Sequence, residues 1–231
     1  NFASFAVSPA KALAAGDLVK GPNSDAVYYI GANGKKYVFP DSKTYFTWYK
    51  NFNGVKTVTI SELDNYPAGG AVTYRAGTKL VKTVDSNKVY AVEPGGSIRW
   101  IKDEATAKAL WGANWAKMVN DVIPGYFFST YTVGSDLGSM YPTGSLVQKN
   151  GDATIYYVDG TTIRPFATGD AFTVNGFDFA FIVKTDSLSG YTTGSSITGA
   201  ESALSSISAS SNVPQLGGSV MVSLASDTPA S

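Results

Sequence analysis

The sequence predicts a mainly β protein with short helices. It reads as three tandem repeats of about 60 residues, each a strand, a hairpin, a short helix and a return strand. Two observations carry this. Gly, Thr, Ser, Val and Tyr dominate the composition, with 24 Gly and 14 Tyr in 231 residues, and these favour strands and turns over helices. The same anchors also recur in matched order. Leu18, Leu80 and Leu146 open the repeats, Tyr28, Tyr90 and Tyr156 follow, and Lys36, Arg99 and Arg164 come after a Gly turn.

In order, the chain divides into an N-terminal segment (1–15) and repeats at 16–78, 79–143 and 144–199. A Ser/Ala/Gly linker (200–218) and a lone strand (219–231) complete it. The segment 1–15 contains Ala12-Leu13-Ala14, a pattern like that before a signal-peptidase cut, and leans towards export. Repeat one runs from Asp17-Leu18-Val19-Lys20 into a hairpin turning at Asn33-Gly34; Asp159-Gly160 does the same work in repeat three. Asp41 and Asp103 are N-caps for helices over Ser42–Tyr49 and Glu104–Trp111, the latter stopped by Gly112. Asp170–Val174 is the degraded third copy. Tyr66, Tyr131 and Tyr191 each precede a Gly that reopens the chain. Like spacing leaves two arrangements open, an extended array and a closed pseudo-threefold ring.

The chain has no His and no Cys. It therefore lacks thiolate nucleophiles, disulfides and the commonest proton shuttle and metal ligand. Carboxylates such as Glu62 and Asp64, or Asp103 and Glu104, sit at turns or helix starts, where capping accounts for them. No phosphate-binding or dinucleotide fingerprint occurs. These features argue against catalysis. No basic face suited to nucleic acid stands out, since lysines are scattered among acids, and no run of eighteen apolar residues would span a membrane. Net charge is zero, yet residues 1–149 carry +5 and residues 150–231 carry −5. The plain reading is drift among solvated faces. The sharper one is a head-to-tail contact between copies.

Six residues are candidates for glycan or subunit contact: Trp48, Trp111, Trp115, Lys36, Arg99 and Arg164. Trp48 and Trp111 hold the same place in their repeats. Phe52 and Trp115 are equivalent, with Phe177 or Phe179 standing in for them in the third. A Trp so placed either stacks on a sugar ring or plugs a small core. The three cations either lie over an aromatic at the surface or make a repeated ligand contact.

The segments GDLVK, VYYIGANGKKYVFP and YFTWY, with KLVKT, VYAVEPGGSIRWIK and ALWGANW, resemble the N-terminal repeat region of predicted S-layer proteins of ultrasmall, uncultivated bacteria. The closing VMVSLASDTPAS resembles the first strand of the Ig-like β-sandwich that follows such repeats. The resemblance implies secretion, a place on the cell surface, self-assembly with copies of the same chain, and no catalysis. Calcium cements many S-layers, but no EF-hand loop or Asp-x-Asp ladder supports structural calcium locally. No other cofactor is expected. A cell-wall or surface glycan is the alternative partner.

Overall fold

A computed structural model of the chain describes residues 12–207. Three five-stranded sheets hold the strands of the described residues. The first holds β1 (Leu18–Lys20), β2 (Val27–Ile30), β3 (Lys36–Val38), β4 (Val55–Thr57) and β5 (Ala68–Ala71). The second holds β6 (Leu80–Thr83), β7 (Tyr90–Val92), β8 (Ser97–Trp100), β9 (Val119–Val122) and β10 (Thr132–Val133). The third holds β11 (Leu146–Lys149), β12 (Ile155–Asp159), β13 (Thr162–Pro165), β14 (Ile182–Thr185) and β15 (Thr192–Thr193).

The strand order is the same in all three: β4-β1-β2-β3-β5, β9-β6-β7-β8-β10 and β14-β11-β12-β13-β15. An antiparallel meander forms the centre, and a strand parallel to its neighbour closes each side. One return strand per unit is what the sequence predicts; each sheet has two. The extra ones, Ala68-Gly69-Gly70-Ala71, Thr132-Val133 and Thr192-Thr193, are too short or too Gly-rich to read as strands, and pairing alone defines them.

Successive strand residues alternate between two buried faces. Leu18, Tyr29 and Tyr37 enter one cluster, while Val19, Tyr28 and Ile30 enter another. This double burial explains the near-continuous apolar runs Val27-Tyr28-Tyr29-Ile30 and Ile155-Tyr156-Tyr157-Val158.

Helices α1 (Ser42–Tyr45), α3 (Glu104–Trp111) and α5 (Gly169–Val174) follow the third strand of each sheet. Their caps are alike: Asp41 accepts from the Thr44 N–H at 2.7 Å, Asp103 from Thr106 at 2.7 Å, and Thr168 from Ala171 at 3.0 Å. The third helix, expected over Asp170–Val174, begins one residue earlier at Gly169, with Thr168 as its cap. Helix α1 ends four residues short of Tyr49. Thr44, Tyr45, Phe46, Thr47 and Trp48 crowd their χ1 rotamers against the preceding turn, whereas Ala105, Ala107 and Ala109 let α3 run on. Helices α2 (Ile60–Asp64) and α4 (Pro124–Thr130) join the two return strands in the first two units.

Each chain entry is pinned by a tyrosine. The N–H groups of Leu13, Tyr74 and Tyr141 donate to the hydroxyls of Tyr66, Tyr131 and Tyr191 at 2.8, 2.9 and 2.7 Å. Three residues after each donor comes a glycine with positive φ: Gly16, Gly77 and Gly144. Gly77 and Gly144 press together, so a Cβ built on Gly77 would lie 2.2 Å from the Gly144 carbonyl oxygen.

The second and third sheets share one apolar cluster, in which Leu80, Ala91 and Leu110 meet Val147, Val158 and Val183. Units one and three meet differently. Arg75, only 3% exposed, leaves the connector after β5 and donates to the carbonyls of Gly176, Asn175 and Leu204 at 2.6, 2.7 and 2.8 Å. Its guanidinium lies 3.9 Å from the Phe177 ring centroid and 5.2 Å from that of Trp48. Burial lowers its pKa to about 10, so it stays charged at neutral pH.

Residues 201–207, expected as linker, are packed instead. Glu201 forks onto Arg164, α6 (Ser202–Ser205) buries Leu204 in the third unit, and Ile207 joins the core of the first. Residues 1–11, the rest of the linker and the strand at 219–231 lie outside the described residues.

Candidate binding grooves

The same groove occurs once on each unit, where the hairpin's open end meets the start of the helix. Its floor is a hydrogen-bonded residue pair: Phe39 N–H donates to the Val27 carbonyl at 3.0 Å, Ile101 to Val89 at 2.9 Å, and Phe166 to Ile155 at 2.9 Å. One end is the capping turn at Asp41, Asp103 or Thr168. The wall is an aromatic eleven or twelve residues after the cap: Phe52, Trp115 or Phe179. The volumes are about 390, 320 and 400 Å3 in chain order.

The walls are built in two ways. Phe52 stacks on Tyr45 at 4.4 Å, and Phe179 lies on Phe172 at 4.5 Å with the rings tilted by 30°. Both outer rings stay about half exposed, at 47% and 52%. In the second unit Ala107 stands where Tyr45 and Phe172 stand, and the larger Trp115 sinks half-buried against the core that Ala107 leaves open. The larger indole thereby makes up part of the volume that Ala107 gives up. That groove gains a second indole, Trp100, with the Lys88 ammonium 4.8 Å from its centroid. Tyr126, from the second unit, borders the first groove. Backbone hydrogen bonding from Thr106 holds the exposed Asp103 carboxyl below its ordinary pKa.

Of the six sequence candidates, Trp115 lines one of these three grooves, and Trp111 borders a separate pocket of about 250 Å3 with Lys79, Met118 and Phe181. Trp48 is a core residue, 6% exposed, and its indole N–H donates to the Thr73 carbonyl at 2.9 Å. Trp111 is half-buried and meets Tyr141 edge-on at 6.4 Å. The cations hold the chain that leaves the outer strands. Lys36 donates to the Leu63 carbonyl at 2.8 Å, with its ammonium 5.9 Å from the Tyr28 centroid. Arg99 and Arg164 each donate from Nε at 3.2 Å, to the carbonyls of Ser135 and Ser195. Their remaining guanidinium nitrogens reach the Asp136 carbonyl and Glu93 in one case and Glu201 in the other.

Sequence reasoning placed Phe52, Trp115 and Phe179 in register but did not see the groove behind them. The signal available was the constant offset from the capping residue. Phe177, the other stand-in, is buried beneath Arg75. Among the described residues no three His, Cys, Asp or Glu side chains gather to hold a metal ion, and no helix is long and apolar enough to cross a membrane.

No known protein family and no curated protein matches the chain. Among the solved structures similar to the chain is the periplasmic assembly from the ESX-5 inner membrane complex, at 13% identity and a TM-score of 0.23. The match covers 69% of this chain and 53% of that one. A likeness at that score carries no argument about fold or function.

Proposed function

We propose that the chain is a secreted, non-catalytic structural protein that self-assembles into an S-layer-like array on a bacterial cell surface. One observation supports the reading: a single chain offers the same groove and aromatic wall three times. Repeated surface of this kind suits multivalent contact, in which many weak contacts add up. The charge offset between residues 1–149 and 150–231 supplies a head-to-tail component.

Negative-stain imaging of the purified chain tests this. Sheets or tubes are expected in low salt. Raised salt is expected to loosen them, as is the triple change Lys35→Glu, Lys50→Glu, Lys117→Glu at exposed positions. Dispersed particles under all conditions, or arrays indifferent to salt and charge reversal, would end the proposal.

A second reading, a cell-wall or glycan-binding module of a surface adhesin, is favoured by the half-exposed Phe52 and Phe179 rings. The two roles are compatible, since an array must also attach to something.

A further inference from the structure

We infer that the three grooves are sites for a neutral polysaccharide, each taking one sugar ring against its aromatic wall. The inference deepens the glycan-binding reading and rests on it, not on the array.

The charges of the three grooves differ. The first is bordered by Asp25 and Asp41, the second by Lys88, Lys102, Asp103 and Glu104, and the third by no ionisable side chain. A ligand common to all three therefore cannot be selected by charge, which disfavours an anionic polymer or a charged peptide as the shared occupant. The constant parts are an aromatic ring, an apolar floor pair and oxygen-bearing side chains near the cap, such as Ser42, Glu104 and Thr168.

Pyranose rings match that set. They offer an apolar face of C–H groups and a rim of hydroxyls that donate and accept. Phe52 and Phe179 are suited to such a face, because each is fixed on one side by the ring beneath it and open on the other. A ring already immobilised loses little entropy when a ligand arrives. An apolar side chain of another protein would use the ring and leave the oxygens at the rim without a role. Three such sites on one chain let a polymer engage several at once, so weak single-site affinity suffices.

The test is affinity electrophoresis of the full chain in gels containing an α-glucan, a β-glucan, a galactan or a mannan, with hyaluronate as the anionic comparison. At least one neutral polymer is expected to retard the protein. Phe52→Leu and Phe179→Leu keep apolar volume but lose the ring. Each is expected to weaken retardation about tenfold, and the pair about 100-fold. Phe52→Tyr and Phe179→Tyr are expected to bind like the wild type. Near-ultraviolet circular dichroism reports that each variant is folded.

Retardation that ignores the Leu changes would overturn the grooves as the site while leaving glycan binding intact. No retardation by any polymer would end both. Retardation by hyaluronate alone would refute neutrality. Leu variants that fail to form arrays, in a protein indifferent to every glycan, would reassign the grooves to contact between copies.

Discussion

The joint between units two and three and the meeting of units one and three solve the same problem by opposite means. The first is apolar: Leu80, Leu110, Val147, Val158 and Val183 belong to one cluster of buried, mostly aliphatic side chains. The second is organised by a buried cation, Arg75, that satisfies three carbonyl groups and lies between two aromatic rings. An apolar joint tolerates changes of shape as long as volume is kept. A buried arginine does not, because its donors need acceptors at fixed places and each carbonyl left behind is unsatisfied. Arg75 has no carboxylate among the partners given above, so its position depends on the end of α5 and on Leu204 being where they are. The apolar joint supplies adhesion, and the arginine supplies register.

The largest test of that contrast lies where the connectors touch. Gly77→Ala would put a methyl group 2.2 Å from the Gly144 carbonyl oxygen, at a φ of +72°. It is expected to cost more than about 4 kcal/mol in urea denaturation. Gly34→Ala shares the φ of +72° but meets nothing within 4 Å, so only about 1–2 kcal/mol is expected. Equal losses would show that backbone strain, not the crossing of the connectors, sets the value.

Next comes the arginine itself. Arg75→Met keeps much of the side chain's length and apolar stem but strands three carbonyls, and about 3 kcal/mol is expected. Leu110→Met, in the apolar joint, should lose less than about 1.5 kcal/mol. If Arg75→Met is as mild as Leu110→Met, the distinction between the two contacts fails.

The smallest effect concerns pH. Hydrogen bonding from Arg164 lowers the Glu201 pKa below its ordinary 4.5. Because the folded value lies below the unfolded one, the stabilisation is present above about pH 4.5 and is lost as pH falls through the folded value. The pair is partly open to solvent, so about 1 kcal/mol or less is involved. Thermal unfolding of wild type and Glu201→Gln should differ at pH 6 and converge as pH falls through the folded value. A difference that persists in acid would place the stabilisation elsewhere.

Much of this architecture is legible in the residues, and the parts that are not share a cause. Asp103 with Ala105, Ala107 and Ala109 declares α3 to the residue, since cap, propensity and the Gly112 stop agree. The recurring Tyr66, Tyr131 and Tyr191 supply the hydroxyls that pin each chain entry. In contrast, Ala68–Ala71 becomes a strand through its pairing with β3, and nothing local in Ala-Gly-Gly-Ala foretells it. Arg75 looks like any connector cation in the sequence. Its partners lie 100, 101 and 129 residues away, beyond the reach of any local pattern. Trp48 and Trp111 illustrate the limit for sites: their equivalence is readable, but Trp48 is buried by distant parts of its own unit with Ile207, and Trp111 packs on the cluster shared by the second and third units.

The residues alone thus set the β-rich character and the matched succession of anchors, caps and turns, because these follow from interactions within a few residues or from alternation along one strand. The second return strand of each sheet, the sinking of Trp48 into the core and the opening of three grooves behind Phe52, Trp115 and Phe179 come from packing between segments far apart in the chain. Loop closure brings such segments together, and the contact energy that rewards it exists only once both sides are in place.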